Sequence, residues 1–323
     1  MKAPAFLSLK PEPPKYSPIS TNHQEALGSA LGLEGSIEKV INQTNWPLGF
    51  YRVQSQGLFI KVMLLSQFET ENFAHQLESE LISAKIPAQL GLIREFFISE
   101  KPYLAVIYPY FKVSFFNGDV VQIRSLGWIL KQIHRVMHSS NLSVSTKTLW
   151  QERLLVWQKI MQSPDHPSIP IEAQNLIVRY KDTFKKTLQQ PAQMIHGDLN
   201  FGNVIFMDEN ALVIDYENSY NTYLPVAVDL AMVIERFCLT AKSLVVAEQL
   251  MINFLSAYQI KRFDLADYLI STSYRSLLIL CQVCEAGHKP VASEWQKFIK
   301  SIKQAEDLRG WLNQVLRNDV WLD

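Results

Sequence analysis

The apolar positions of this chain change their period partway along. Residues 36–42, 50–54, 58–64, 92–98 and 103–108 form short runs rich in β-branched and aromatic side chains, bounded by Gly, Pro, Asn and Ser. That texture predicts strands, with a hairpin across Ser55-Gln56-Gly57 and a turn at Glu100-Lys101-Pro102. Within this region residues 68–85 read differently. Phe73, Leu77, Leu81 and Ala84 recur at three and four, which predicts a helix closed by Pro87. Beyond Pro109 the helical period dominates. Ile123, Leu126, Leu130, Ile133 and Met137 make one apolar stripe, and further helices are predicted over roughly 149–161, 172–188 and from about 225 to the end. Two short strands around residues 194–214 interrupt them, joined by the turn Asp208-Glu209-Asn210.

Upstream of the strands, Ser20 and Thr21 are N-cap candidates for a short helix to Ala30, which Gly32 and Gly35 end. Residues 1–18 carry five prolines and predict an extended or loosely docked arm. The pattern divides the chain into residues 1–108, a mixed lobe with the arm 1–18 at its start, and residues 109–323, a helical lobe. The linker is Tyr108-Pro109-Tyr110. At 323 residues, two lobes are the natural expectation.

Charge adds mainly exclusions. Lys plus Arg and Asp plus Glu are both 31, so the composition offers no basic footprint for nucleic acid or anionic lipid. Three cysteines, Cys238, Cys281 and Cys284, are too few and too clustered for a disulfide framework and suggest a reducing compartment. No apolar run has the make-up of a signal segment or membrane span. A soluble, cytoplasmic protein is expected.

The chemistry concentrates in Ile195-His196-Gly197-Asp198-Leu199-Asn200-Phe201-Gly202-Asn203, followed by Ile214-Asp215-Tyr216-Glu217. Asp198 is placed to accept or orient a hydroxyl proton. Asn203 and Asp215 offer an amide oxygen and a carboxylate to a hard cation such as Mg2+. Gly197 and Gly202 permit tight turns between flanking β-branched anchors. Phosphoryl transfer asks little else of a protein than holding nucleotide and metal, orienting the hydroxyl and neutralising charge.

His196-Gly197-Asp198-x4-Asn203 with Ile214-Asp215-Tyr216-Glu217 resembles the aminoglycoside phosphotransferase and choline kinase superfamily, which has a protein-kinase-like fold. The resemblance implies an α+β bilobal architecture, with an antiparallel N-lobe sheet plus helix and a mainly helical C-lobe. It implies Asp198 as catalytic base, Asn203 and Asp215 as magnesium ligands, and Asp229 as a downstream structural acid. Lys61, in Gly57-Leu58-Phe59-Ile60-Lys61-Val62, resembles the phosphate-contacting lysine of Val-Ala-Ile-Lys. Glu71 is the glutamate expected to pair with it, with Glu78 in reserve. Tyr108 and Tyr110 of the linker complete the candidate cofactor contacts. The helix ending at His134 resembles a C-lobe helix of the family, and His134 is expected to pack or hydrogen-bond structurally.

The expected activity is ATP- and Mg2+-dependent transfer of the γ-phosphate to a hydroxyl of a small molecule: an amino alcohol, sugar, amino acid or aminoglycoside. Three departures from protein kinases bear on this. The first hairpin has one glycine, Gly49, where protein kinases carry three; Gly197 stands where they carry an arginine; and no Ala-Pro-Glu segment lies between Asp215 and Asp229. These favour a small acceptor over a peptide. A non-catalytic nucleotide-binding scaffold is the alternative, and a metal-dependent phosphohydrolase a further one that scattered histidines disfavour. His196 alone predicts a loop brace. Cys281 and Cys284 with His288 read as packing within a buried helix rather than a zinc site, and Trp128, Trp157, Trp295 and Trp311 as core aromatics.

Overall fold

The computed structural model describes residues 14–41, 46–111, 113–260 and 264–317. The first part of the expected arm, residues 1–13, lies outside them. Its end is a strand, β1 (Tyr16–Pro18), paired antiparallel with β2 (Ile37–Val40). Between them runs α1 (Thr21–Leu31), capped by the Ser20 side chain and closed by Gly32 in the left-handed region, as the sequence suggests. Strands β3 (Gly49–Val53) and β4 (Leu58–Leu64) follow. Next come α2 (Phe68–Ser83), β5 (Leu92–Ile98) and β6 (Lys101–Pro109). The six strands form one antiparallel sheet in the order β1-β2-β3-β4-β6-β5.

Side-chain alternation gives this sheet two different faces. Ile60 and Val62 of β4 face Leu27 and Leu31 of α1, together with Tyr51, Val53 and Phe96. Lys61 projects to the opposite face. α2 does not join the α1 cluster. Phe73, Ala74, Leu77 and Leu81 are buried in the large core of the helical half, so this helix ties the sheet to the remainder of the molecule.

That remainder is built from α3 (Val120–Ser139), α4 (Leu142–Gln162), α5 (Ile171–Leu188), α6 (Ala227–Val233), α7 (Leu244–Tyr258), α8 (Leu265–Glu285) and α9 (Ala292–Arg317). Two short β-pairs are embedded in it: β7 (Gln193–Met194) with β10 (Tyr223–Leu224), and the hairpin β8 (Val204–Met207) with β9 (Asn210–Val213). The expected antiparallel sheet plus helical lobe is therefore the observed architecture.

Two details differ from expectation. α4 starts at Leu142, several residues early, in a Ser/Thr-rich stretch of modest helix propensity. Burial of Thr146, whose hydroxyl donates to Ser219 O at 3.3 Å, holds that first turn against the core. Trp157 and Trp295 are buried, but Trp128 is 56% exposed and is not a core aromatic. It lies beside the Ile123–Leu126–Leu130 stripe of α3, on the flank turned to solvent. Cys281 and Cys284 are buried on α8 without a disulfide, and among the described residues no cluster of three or more His, Cys, Asp or Glu side chains is arranged to hold a metal.

Candidate active site

The loop of residues 195–203 lies between β7 and β8, and the β8–β9 hairpin returns the chain to Asp215. Its two-residue turn places Asp208 at φ 55, a conformation Asp tolerates better than most residues. Backbone bonds lock loop to hairpin: Ile214 N–H donates to Asn203 O at 3.0 Å, and Asn203 N–H to Asn200 O at 3.1 Å. The Asn200 side-chain carbonyl accepts from Gly202 N–H at 2.7 Å. Asp198 and Asn203 are thereby brought together. The Asn203 amide N–H2 donates to Asp198 O at 2.8 Å and to Asp198 Oδ2 at 3.2 Å. That orientation leaves the Asn203 amide oxygen uncommitted.

Beneath the loop sits Asp229, fully buried at the start of α6. It accepts from the backbone N–H of His196 and of Gly197, each at 2.9 Å, and from His134 Nε2 at 3.0 Å. His134 Nδ1 in turn accepts from the Tyr258 hydroxyl at 2.8 Å. Burial pushes the Asp229 carboxyl up, but the His134 hydrogen bond and the backbone donor Gly197 N–H outweigh it and hold the pKa low. His196 is the brace its sequence context suggests. Its Nδ1 accepts from Asp198 N–H at 3.3 Å and its Nε2 donates to Ile214 O at 3.0 Å, which fixes the tautomer.

Arg275 of α8 closes the site from behind, and sequence reasoning missed it. This buried guanidinium donates to Gly197 O at 2.7 Å and to Thr222 Oγ1 at 3.0 Å, while its Nε has no partner. Burial drives its pKa down, opposed by the charges of Asp229 and Asp198. One signal was present: Arg275 is the lone Lys or Arg in the α8 sequence, and a buried charge requires local partners. Gly197 has φ 77, and a Cβ there would meet the Thr222 side chain at 2.9 Å.

Across from the loop, Lys61 Nζ lies 2.8 Å from Glu71 Oε1 and 3.0 Å from Asp215 Oδ1, and it also donates to Glu217 Oε2. Glu71, not Glu78, is the glutamate paired with Lys61. Burial disfavours the Lys61 charge, but Asp215, Glu71 and Glu217 outweigh it, so its pKa rises and the ammonium persists. Burial, then contact with Glu217, lifts Glu71 to about 7. Glu78, a further turn along α2, reaches about 8 through burial and the neighbouring charges of Glu71 and Asp215. Asp215 itself is held at φ 68, an uncommon conformation for a residue with a side chain and one that recurs at functional sites.

These groups open on a cavity of about 670 Å3 lined by Lys61, Glu78, Tyr108, Tyr110, Asn203 and Asp215. Both linker tyrosines are therefore in its wall. Its roof is bulky. In the β3–β4 register Phe50 opposes Lys61 and Arg52 opposes Phe59, so these side chains share one face, and the Phe50 and Phe59 rings lie 5.8 Å apart. Arg52 donates to Glu38 at 2.6 Å and lies over the Tyr16 ring at 4.1 Å, so β1 supplies part of the same wall. The tip of the β2–β3 connection, residues 42–45, lies outside the described residues.

The Asp215 carboxylate and the free Asn203 oxygen, donors of the kind a hard cation takes, line the same cavity wall, while Lys61 already pairs with Glu71, Asp215 and Glu217.

Comparison with known proteins bears on the fold and on one segment of the chain. A model of the phosphotransferase enzyme family matches residues 116–262, which contain the loop of residues 195–203, Asp215 and Asp229. No curated protein sequence matches the chain. Among solved structures, a spectinomycin phosphotransferase in complex with ADP and spectinomycin is 16% identical with a TM-score of 0.58, covering 93% of this chain and 100% of that one. A choline/ethanolamine kinase family protein from Mesorhizobium loti is 13% identical with a TM-score of 0.55, covering 92% and 97%. A GDP and kanamycin complex of an aminoglycoside phosphotransferase is 12% identical with a TM-score of 0.55, covering 93% and 100%. At these identities the likeness is one of fold. In its matched segment and its bilobal protein-kinase-like fold, the chain resembles the aminoglycoside phosphotransferase and choline kinase superfamily.

Proposed function

We propose that this protein is a small-molecule kinase that transfers the γ-phosphate of ATP to an alcohol. The observation that carries the reading is the Lys61 ammonium held between Glu71 at 2.8 Å and Asp215 at 3.0 Å, which joins the sheet to α2 and to the segment that leaves the β8–β9 hairpin. Residues 1–108 form the nucleotide-binding lobe and residues 109–323 the catalytic and acceptor lobe. In this reading Lys61 contacts the phosphates and Glu71 orients it, while Tyr108 and Tyr110 line the space beside the base. Asp215 and the Asn203 oxygen hold Mg2+, which when bound neutralises charge on the phosphate oxygens. Asp198, positioned by the Asn203 amide, accepts the proton of the attacking hydroxyl.

A small acceptor is favoured over a peptide because residues 216–226 are taken up by a 3-10 turn (Tyr216–Asn221) and the strand β10, and α6 follows directly. The crowded roof formed by Phe50, Phe59, Arg52 and Tyr16 favours a second reading, a nucleotide-binding scaffold without catalysis. ADP release with Mg2+, ATP and a panel of hydroxylated amines, sugars, amino acids and aminoglycosides separates the two. Asp198→Ala and Asp215→Ala are expected to lower kcat and kcat/KM by orders of magnitude with the fold intact. Near-native turnover by Asp198→Ala rejects the base assignment. ADP release by no acceptor, with ATP still bound, favours the scaffold.

A further inference from the structure

The acceptor side of the catalytic loop carries charges of both signs. α6 does not end in a loop but continues into a π-helical turn, Ile234–Cys238, a geometry frequent at functional sites. That turn touches the catalytic loop directly: the Phe237 ring lies 4.7 Å from that of Phe201, three residues after Asp198. The two residues before Phe237 are Glu235 and Arg236. Glu235 is 4% exposed, and its Oε2 is buried without a hydrogen-bond partner. Arg236 Nε stands 3.8 Å from that oxygen, beyond hydrogen-bond range, and its side chain is a quarter exposed.

A second cation comes from the far end of the chain. Lys297, half-buried on α9, lies over the Phe298 ring at 5.2 Å. Burial and then Arg236 disfavour its charge, while Glu235, Asp198 and Glu294 favour it, so its amine is within electrostatic reach of the catalytic-loop carboxylate. A site for a polycation would gather carboxylates here. This one sets Arg236 beside an incompletely satisfied glutamate, with Lys297 within electrostatic reach of both.

We propose that Glu235, Arg236 and Lys297 bind the charged part of the acceptor, and that the acceptor is a small hydroxylated zwitterion, an ammonium and a carboxylate on one short skeleton. The ammonium meets Glu235, the carboxylate meets Lys297 and Arg236, and the hydroxyl is left toward Asp198. This rests on the kinase reading above and names its substrate class.

The test uses the intact protein with Mg2+ and ATP and matched probes. Serine, threonine and homoserine carry all three groups, ethanolamine lacks the carboxylate, glycolate lacks the ammonium, and kanamycin and glucose stand for polycations and neutral sugars. The expected result is the highest kcat/KM for a hydroxy amino acid, at least tenfold above ethanolamine and glycolate. Lys297→Met is expected to raise KM for that acceptor at least tenfold without changing KM for ATP, and Lys297→Arg to restore most of the loss. Glu235→Gln should weaken acceptors that carry an ammonium and leave glycolate unaffected. Highest kcat/KM for kanamycin or glucose, or unchanged acceptor KM in a folded Lys297→Met variant, overturns the inference and leaves phosphotransfer standing. ADP release from no probe, together with no calorimetric binding of Mg2+ and ATP, overturns the kinase reading and this inference with it.

Discussion

Arg275 shows how much of the site depends on one side chain outside the motif. It carries its charge into the core and directs its hydrogen bonds to Gly197 O and Thr222 Oγ1, so it fixes the backbone one residue before Asp198. Removing it leaves two buried acceptors unsatisfied, at a cost of about 1–3 kcal/mol. A small displacement of Asp198 would follow, and misplacement on the scale of 1 Å lowers rates by roughly 100-fold. Arg275→Met is therefore expected to lose kcat with KM for ATP little changed, and Arg275→Lys to recover part of it, in steady-state assays on folded protein. At Glu78 the expectation concerns pH. Burial raises its carboxyl to about 8 from 4.5, so between those values the folded state binds more protons than the unfolded state. Stability then falls as pH rises through that window, by at most about 1.4 kcal/mol for each pH unit crossed. Urea unfolding at pH 5.5 and 8.5 should show Glu78→Gln gaining stability on the parent at the higher pH.

The element that most changes meaning in three dimensions is α2. By sequence it lies among the strands, yet Phe73, Leu77 and Leu81 are buried with the helical core, while on the same helix Glu71 pairs with Lys61 and Glu78 lines the cavity. Moving α2 therefore moves the partner of Lys61 and disturbs the main core together. Helix packing is as tight elsewhere. Gly127 lets α3 approach α7 so closely that a Cβ would lie 2.4 Å from Phe254 O, a backbone atom that cannot turn away. Gly127→Ala gains helix propensity of about 1 kcal/mol but forces the helices apart, and overpacking costs typically about 1–3 kcal/mol. A net loss of stability in denaturant titration is the expected outcome, and a stabilised variant would show that the two helices separate freely.

Over the whole molecule, Lys61 and Asp215 come from positions 154 residues apart, and their contact bridges the sheet and the helical half. Ligand held by both sides stabilises the folded state by about 2.7 kcal/mol at a concentration 100-fold above Kd. Mg2+ with ATP is expected to raise Tm by a few degrees in differential scanning fluorimetry, and Lys61→Ala to abolish most of that shift. An undiminished shift in Lys61→Ala would place the nucleotide elsewhere.

The parts legible in the chain were those whose geometry is local. The β-branched runs and the 3-4 stripes depend on backbone periodicity alone, and β4 and β5 fall where they predict, at Leu58–Leu64 and Leu92–Ile98. The proximity of Asp198, Asn203 and Asp215 was readable because one loop and one hairpin set their spacing. Tertiary structure decided what depended on distant partners. Glu71 and Glu78 sit seven residues apart on nearly the same side of α2, and only the reach of Lys61 separates them. Trp128 was exposed by the rotation of α3 against its neighbours rather than by its own hydrophobicity. The phenylalanine roof needed the β3–β4 register, and the Arg275 contact to Gly197 crosses 78 residues of chain. Period and local spacing are properties of contiguous residues. The pairing of a buried charge is a property of whatever the fold brings beside it, and that is where this site acquired its support.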